Sequence, residues 1–157
     1  MLELTDNLQP AAVQPQDELT LSFEQRQKAR FRALTDAGRD VGVFVRRGQV
    51  LQEGTLLASS EGVLVRVKAQ VEPLCEARCE DWLSFAKACY HLGNRHVPLQ
   101  VGERWLRFQP DHVLEDMLLQ LGLQLSRVQA PFNPERGAYQ GAAHSHGHSH
   151  SHGHQHG

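Results

Sequence analysis

From Leu19 to about Ala69 apolar and polar residues alternate in short runs, LTLSF, ARFRALT, VGVFV and GVLVRVKAQ. That is the two-residue period of strands with one buried face. Turn stretches such as DAGRD and RRGQ separate the runs, and Gly38, Gly48, Gly54 and Gly62 recur at the spacing of a small all-β unit. In ARFRALT, Arg30 and Arg32 alternate with Phe31 and Ala33, which predicts a basic outer face, either solvated or partner-binding, and an apolar inner one. After residue 70 the period changes. VEPLCEARC reads as a strand, and CEDWLSFAKACYHLG follows with helical spacing. Trp82, Phe85, Ala86 and Cys89 fall on one stripe, and Gly93 is placed to end the helix in a left-handed turn. VPLQV and RWLRFQ flank Gly102-Glu103 as a hairpin with Leu106 and Phe108 on one face. Asp111 then precedes a second apolar face, Val113, Leu114, Met117, Leu118 and Leu121, stopped at Gly122, and LQLSRVQ continues as a strand to Pro131.

The order β-α-β-β-α-β is that of a ferredoxin-like domain. The predicted fold class is therefore α+β: a small all-β domain over residues 1–70, a ferredoxin-like domain over 71–134, and a His-rich tail over 135–157, with the first two joined near Gln70 to Pro73. PERGAYQGAA loses every periodic apolar signal and the histidine run after it has no side chain able to contribute to a core, so disorder is expected in both.

Composition narrows the function classes. Of 157 residues, 40% are hydrophobic, enough for a folded protein. The net charge of −2 conceals five acids and no base in residues 1–25, then nine bases against four acids in residues 26–68. No basic stripe with interleaved aromatics appears, which argues against nucleic acid as a partner. The start, MLELTDNLQP, lacks the charged and apolar regions of a signal peptide, and no apolar run approaches membrane-spanning length. Three cysteines fit a reducing compartment better than a disulfide framework, so a cytoplasmic protein is expected. Cys75 and Cys79 lack a second CxxC pair and read, with Cys89, as structural.

The tail carries the most conspicuous chemistry. His144, His146, His148, His150, His152, His154 and His156 stand at every second residue among glycine and serine. Imidazole suits nickel, zinc and copper. Neighbouring imidazoles of this spacing lie about 6.5 to 7 Å apart on an extended chain, so the chain must wrap to bind one ion. Ordering it costs about 1 to 2 kcal/mol per residue, which makes such a tail a collector rather than a selective site. The alternation also differs from the consecutive histidines of a purification handle. Upstream, in YHLGNRHVPLQ, His91 falls on the last predicted helical turn and His96 just beyond it, before Pro98 forces an extended chain. His112 follows the cap residue Asp111, where the positive end of a helix favours the neutral, metal-binding imidazole.

The stretch Tyr90 to Gln100, with Gly93-Asn94-Arg95-His96 at its centre, resembles the signature of the UreE urease accessory proteins. RQKARFRA from Arg26, RGQVLQEG from Arg47, DHVLEDML from Asp111 and the His-rich end are similar to the same family. The resemblance implies a non-enzymatic nickel metallochaperone. Its first domain is similar to the peptide-binding modules of co-chaperones. Its second domain forms a homodimer in which His96 of each chain shares one Ni(II). Ni(II) then passes, through a UreG-type GTPase partner, to the urease apoprotein; the same imidazole chemistry extends to Zn(II) and Cu(II) in vitro. Two imidazoles leave about two to four positions of nickel unfilled, which the tail is placed to supply. About ten residues of linker, Pro134 to His144, reach roughly 16 to 19 Å. Family members with a His-x-His pair differ from this chain, which reads Pro110-Asp111-His112, so His112 is the weaker ligand candidate. His91 reads as packing or support for the ligand.

Two rivals come from other classes. One is a folding helper whose tail only stores metal; the other is a metal-dependent hydrolase built on His96, His112 and Asp111. No GxxxxGK[ST] loop is present, so any GTP chemistry resides in a partner. Because protons and metal compete for the same ring nitrogens, nickel affinity should fall as pH drops toward 6 in calorimetric titrations. A pH-independent affinity contradicts histidine ligation.

Overall fold

The computed structural model describes residues 1–6 and 14–136. Its first part contains β1 (Leu2–Asp6), β2 (Asp17–Leu21), the one-turn helix α1 (Phe23–Arg26), β3 (Arg30–Leu34), β4 (Asp40–Phe44), β5 (Leu56–Ala58) and β6 (Leu64–Ala69). These strands form one six-stranded sheet in the order β2-β6-β5-β1-β4-β3. Leu4, Leu19, Leu21, Val41, Val43, Leu51, Leu57, Val65 and Val67 make its core, with Phe31 and Ala33 packed against them. Arg30 and Arg32 face water as predicted, Arg32 donating to Asp40 at 2.8 Å.

This part is not all β. The sequence pattern continues the second strand to Phe23, but Phe23 opens α1 instead. Ser22 Oγ accepts from the Gln25 N–H, and the Gln25 side chain accepts from the Ser22 N–H at 3.0 Å. This reciprocal capping satisfies two otherwise orphaned donors and overrides the strand preference of the aromatic ring. β1 and β5 are likewise additions, too short and too lightly punctuated to stand out from the sequence.

The second part contains β7 (Val71–Arg78), α2 (Trp82–Asn94), β8 (Gln100–Val101), β9 (Trp105–Phe108), α3 (His112–Gln120) and β10 (Gln124–Pro131). Its four strands are antiparallel in the order β10-β7-β9-β8. Both helices pack on one face, over a core that includes Cys75, Ala77, Phe85, Ala88, Leu92, Leu106, Phe108, Leu114 and Leu118. The buried line of α2 is thus Phe85, Ala88 and Leu92; Trp82 and Ala86 point outward, because the helix is rotated to put the smaller Ala88 against the sheet. On α3, Val113 also faces water while Leu114 and Leu118 are buried. The β8–β9 turn depends on Gly102: a Cβ there would lie 1.9 Å from the Trp105 indole. On the sheet face away from the helices, Glu76 is buried. Burial pushes its carboxyl up, yet hydrogen bonds from Arg107 and Arg78 outweigh this and hold it below the usual carboxylate range.

The joint is tighter than the Gln70 to Pro73 linker read from sequence. β7 begins at Val71, and Pro73 already pairs with Gln129, leaving only Gln70, whose N–H donates to the Leu21 carbonyl at 2.8 Å. Phe23 of α1 then packs with Leu74, Ala130 and Phe132 of the second part in one cluster. Arg26 is wholly buried beside it. Its Nη2 donates to the Phe132 carbonyl at 2.5 Å and its Nη1 to that of Leu51 at 3.4 Å. Burial pulls its pKa down, opposed by the Glu72 and Glu53 carboxylates. Arg26→Ala would strand two carbonyls and open a void, and should lower the unfolding free energy by roughly 3 kcal/mol in urea titrations. A change below about 1 kcal/mol would show that the guanidinium contributes little.

Candidate metal site at the His96 corner

Asp81 starts α2 by accepting the Ser84 N–H at 3.0 Å. The helix does not end at Gly93. It continues through Gly93 to Asn94, with Arg95 as C-cap, and the left-handed residue is His96 itself, at φ 55°. Extending the helix past Leu92, its last buried residue, lets the Gly93 carbonyl find the His96 N–H at 3.1 Å. Glycine is the usual occupant of this position, because a side chain there costs about 1 to 2 kcal/mol. Here an imidazole occupies it. The turn sets the ring in water, while Leu92 on one side and Val97 and Leu99 on the other hold the corner against the core. Among the described residues Arg104, at φ 61° beside the β8–β9 turn, is the other non-glycine residue in this conformation; His96 differs in presenting an exposed imidazole.

The other sequence candidates are less constrained. His91 is exposed on the last turn of α2, outside the core, its ring edge-on to exposed Tyr90 with centroids 5.5 Å apart. His112 is exposed at the start of α3. Asp111 is committed to capping, accepting from Val113 N–H at 2.9 Å and Leu114 N–H at 3.3 Å, which weakens a hydrolase site built on it. Among the described residues no group of three or more His, Cys, Asp or Glu side chains is placed to hold a metal ion. Cys75 is buried, and burial with the Glu115 carboxylate nearby pushes its thiol up to about 11, so the thiolate needed for metal binding is disfavoured. Burial also raises Cys89. His144, His146, His148, His150, His152, His154 and His156 lie outside the described residues.

The sequence reading missed where the chain leaves β10. Beyond Pro131 the backbone returns to the segment that follows His96: the Asn133 N–H donates to Gln100 Oε1 at 3.1 Å and the Glu135 N–H to the Leu99 carbonyl at 2.8 Å. Gln100 stands in the quoted signature, but nothing in its neighbours shows that its amide is used from 33 residues away.

The sequence matches the family described as UreE urease accessory protein, N-terminal domain, over residues 1–70, and the corresponding C-terminal domain over residues 72–157. The chain belongs to the UreE family of urease accessory proteins. Among UreE relatives, the urease accessory protein UreE of Alkalilimnicola ehrlichii is 54% identical over 141 residues, covering 90% of this chain and 86% of that protein. The Azotobacter vinelandii protein of the same name is 53% identical over 128 residues, 81% of this chain and 77% of its own length. The UreE match makes the architecture two-domain and places the His96 corner in the C-terminal domain match.

If His96 is held left-handed against its own preference, His96→Gly should raise the midpoint of thermal unfolding, by the equivalent of about 1 kcal/mol, whereas His96→Ala should not. Equal midpoints for the two variants contradict strain at this residue.

Proposed function

We propose that this UreE chain is a nickel metallochaperone that binds Ni(II) through His96 and delivers it for assembly of the urease active site. The observation that carries the reading is the exposed imidazole held left-handed at the end of α2, with the root of the His-rich segment hydrogen-bonded three residues downstream. His96 lies within about 11 Å of chain from Leu99, and the nine residues from Glu135 to His144 span at most about 32 Å. His144, His146, His148, His150, His152, His154 and His156 are therefore within covalent reach of the corner. His112 is a secondary ligand at most.

His96 needs further donors, and a second copy of the chain is the natural source of one. Trp82, Leu83 and Tyr90 on α2 are 54%, 62% and 67% exposed, apolar area whose burial favours a homodimer. In this reading two His96 rings share one ion and tail histidines complete its shell. An ion so incompletely enclosed by rigid ligands is readily given away, as delivery requires. The strand order supports a ferredoxin-like second domain, with the functional division 1–70, 71–134 and 135–157. The first domain, with its basic β3 face, takes the role of partner contact toward a UreG-type GTPase and the urease apoprotein. No nucleic acid or membrane is involved, and among the described residues no helix is long and apolar enough to cross a bilayer. The setting is the cytoplasm, and the chain catalyses no reaction. Zn(II) and Cu(II) would compete in vitro for the same imidazoles.

Nickel calorimetry on the intact chain, the chain cut after Ala143 and the His96→Ala variant tests this. The cut should remove most of the capacity but keep one His96-dependent site; His96→Ala should remove that site and keep the tail's capacity. If the cut protein binds no nickel, His96 is not the primary ligand.

A further inference from the structure

The outer face of the second sheet carries a fixed pair of arginines that the proposed nickel site does not use. Along β7 and β9, Cys75, Ala77, Leu106 and Phe108 point to the helices, so Glu76, Arg78, Trp105 and Arg107 share the opposite face. Glu76 stands opposite Arg107, and Arg78 opposite Trp105. The Glu76 carboxylate, its side chain only 6% exposed, accepts from Arg78 Nε at 2.6 Å and from Arg107 Nε at 2.8 Å, one oxygen to each. The Trp105 indole fills the space that Gly102 leaves, and the Arg107 guanidinium lies over that ring, 4.6 Å from its centroid. Each layer thus holds the next: glycine, indole, guanidinium, carboxylate, second guanidinium.

This stack does more than neutralise Glu76. One arginine suffices for one carboxylate, and a pair that closes on itself does so fork to fork, with two parallel hydrogen bonds. Here each guanidinium uses its Nε alone. Among the described residues no acceptor engages the terminal nitrogens of either, and none of those nitrogens is buried. The ladder neighbours Gln100, Gln124 and Ser126 are uncharged, so two positive charges face one negative.

We infer that Arg78 and Arg107, oriented by Glu76 and Trp105, form a docking site for the carboxylates of an acidic segment of a partner protein. A guanidinium matches a carboxylate through two parallel donors, which an ammonium cannot do. Sites for small ligands are concave, whereas this one lies on the open face of an antiparallel sheet, where affinity comes from a partner that covers the area around the charge. Arginine and tryptophan are also the side chains that most often dominate such contacts. The site is separate from the basic β3 face and from His96, and does not depend on the role of either.

The test uses the full chain at about pH 8, where the histidines are neutral. It is titrated with a glutamate–glycine repeat peptide, a glutamine–glycine repeat peptide and inorganic phosphate, while the Trp105 indole N–H resonance is followed. The glutamate peptide should shift that resonance saturably, and the glutamine peptide should not. Arg107→Lys keeps the charge and loses the fork, and should weaken the glutamate peptide about tenfold, the contribution of one charged hydrogen bond. Glu76→Gln adds net positive charge yet releases both guanidinia, and should weaken it as well. No Trp105 shift with the glutamate peptide overturns the inference. So does unchanged affinity in Arg107→Lys, or tighter binding by a folded Glu76→Gln variant, since either makes the arginines a diffuse charge. Because Arg107 lies outside the cores, its variant decides the matter even where Glu76→Gln fails to fold. Phosphate that gives the same Trp105 shift at the same affinity would make the site a general oxyanion binder and would equally overturn an acidic protein partner.

Discussion

The architecture turns on one buried guanidinium. Arg26 ends a one-turn helix of the first sheet and reaches the carbonyl of Phe132, just past the last strand of the second. An unpaired buried polar group costs about 1 to 3 kcal/mol, so the carbonyls of Leu51 and Phe132 and the guanidinium each need the others in place. With a joint of one residue, Gln70, this contact and the Phe23–Phe132 ring pair at 5.0 Å hold the two sheets together. The sheets bury separate aliphatic cores, but the point where they meet is polar, aromatic and directional.

The His96 corner depends on the same logic of paying for geometry locally. Helix α2 ends where its buried face ends, and the backbone must turn sharply so that Val97 and Leu99 return to the core. A glycine would make that turn at lower cost. An imidazole placed there stands in water with its backbone fixed on both sides, a rigid pedestal with one donor atom to offer. Such a residue binds metal only with help from elsewhere, which fits a carrier better than a storage or structural site.

Much of this was legible in the chain. Alternation identified β3, β4, β6, β7 and β9, and the Asp111 cap and Gly122 stop bounded α3, because these signals are local. The helix end was misplaced by a residue class rule: glycine at position 93 is the common left-handed cap, yet tertiary packing of Leu92 and Val97 moved the turn to His96. Trp82 and Val113 were assigned to buried faces by spacing alone, which does not fix the rotation of a helix on its sheet. Arg26 and Gln100 escaped notice because their partners are 106 and 33 residues away, and sequence spacing carries no trace of such contacts. Family resemblance rested on Tyr90 to Gln100 and four other stretches, and the domain matches agree with it.

The central claim is that His96 is the ordered ligand and that two copies of it meet at one ion. Native mass spectrometry of the chain cut after Ala143, loaded with nickel, tests it most directly. The account predicts a dimer carrying one nickel per two chains, and a metal-free dimer for the same protein with His96→Ala. One nickel on each chain regardless of assembly, or nickel retained by the His96→Ala dimer, would contradict it.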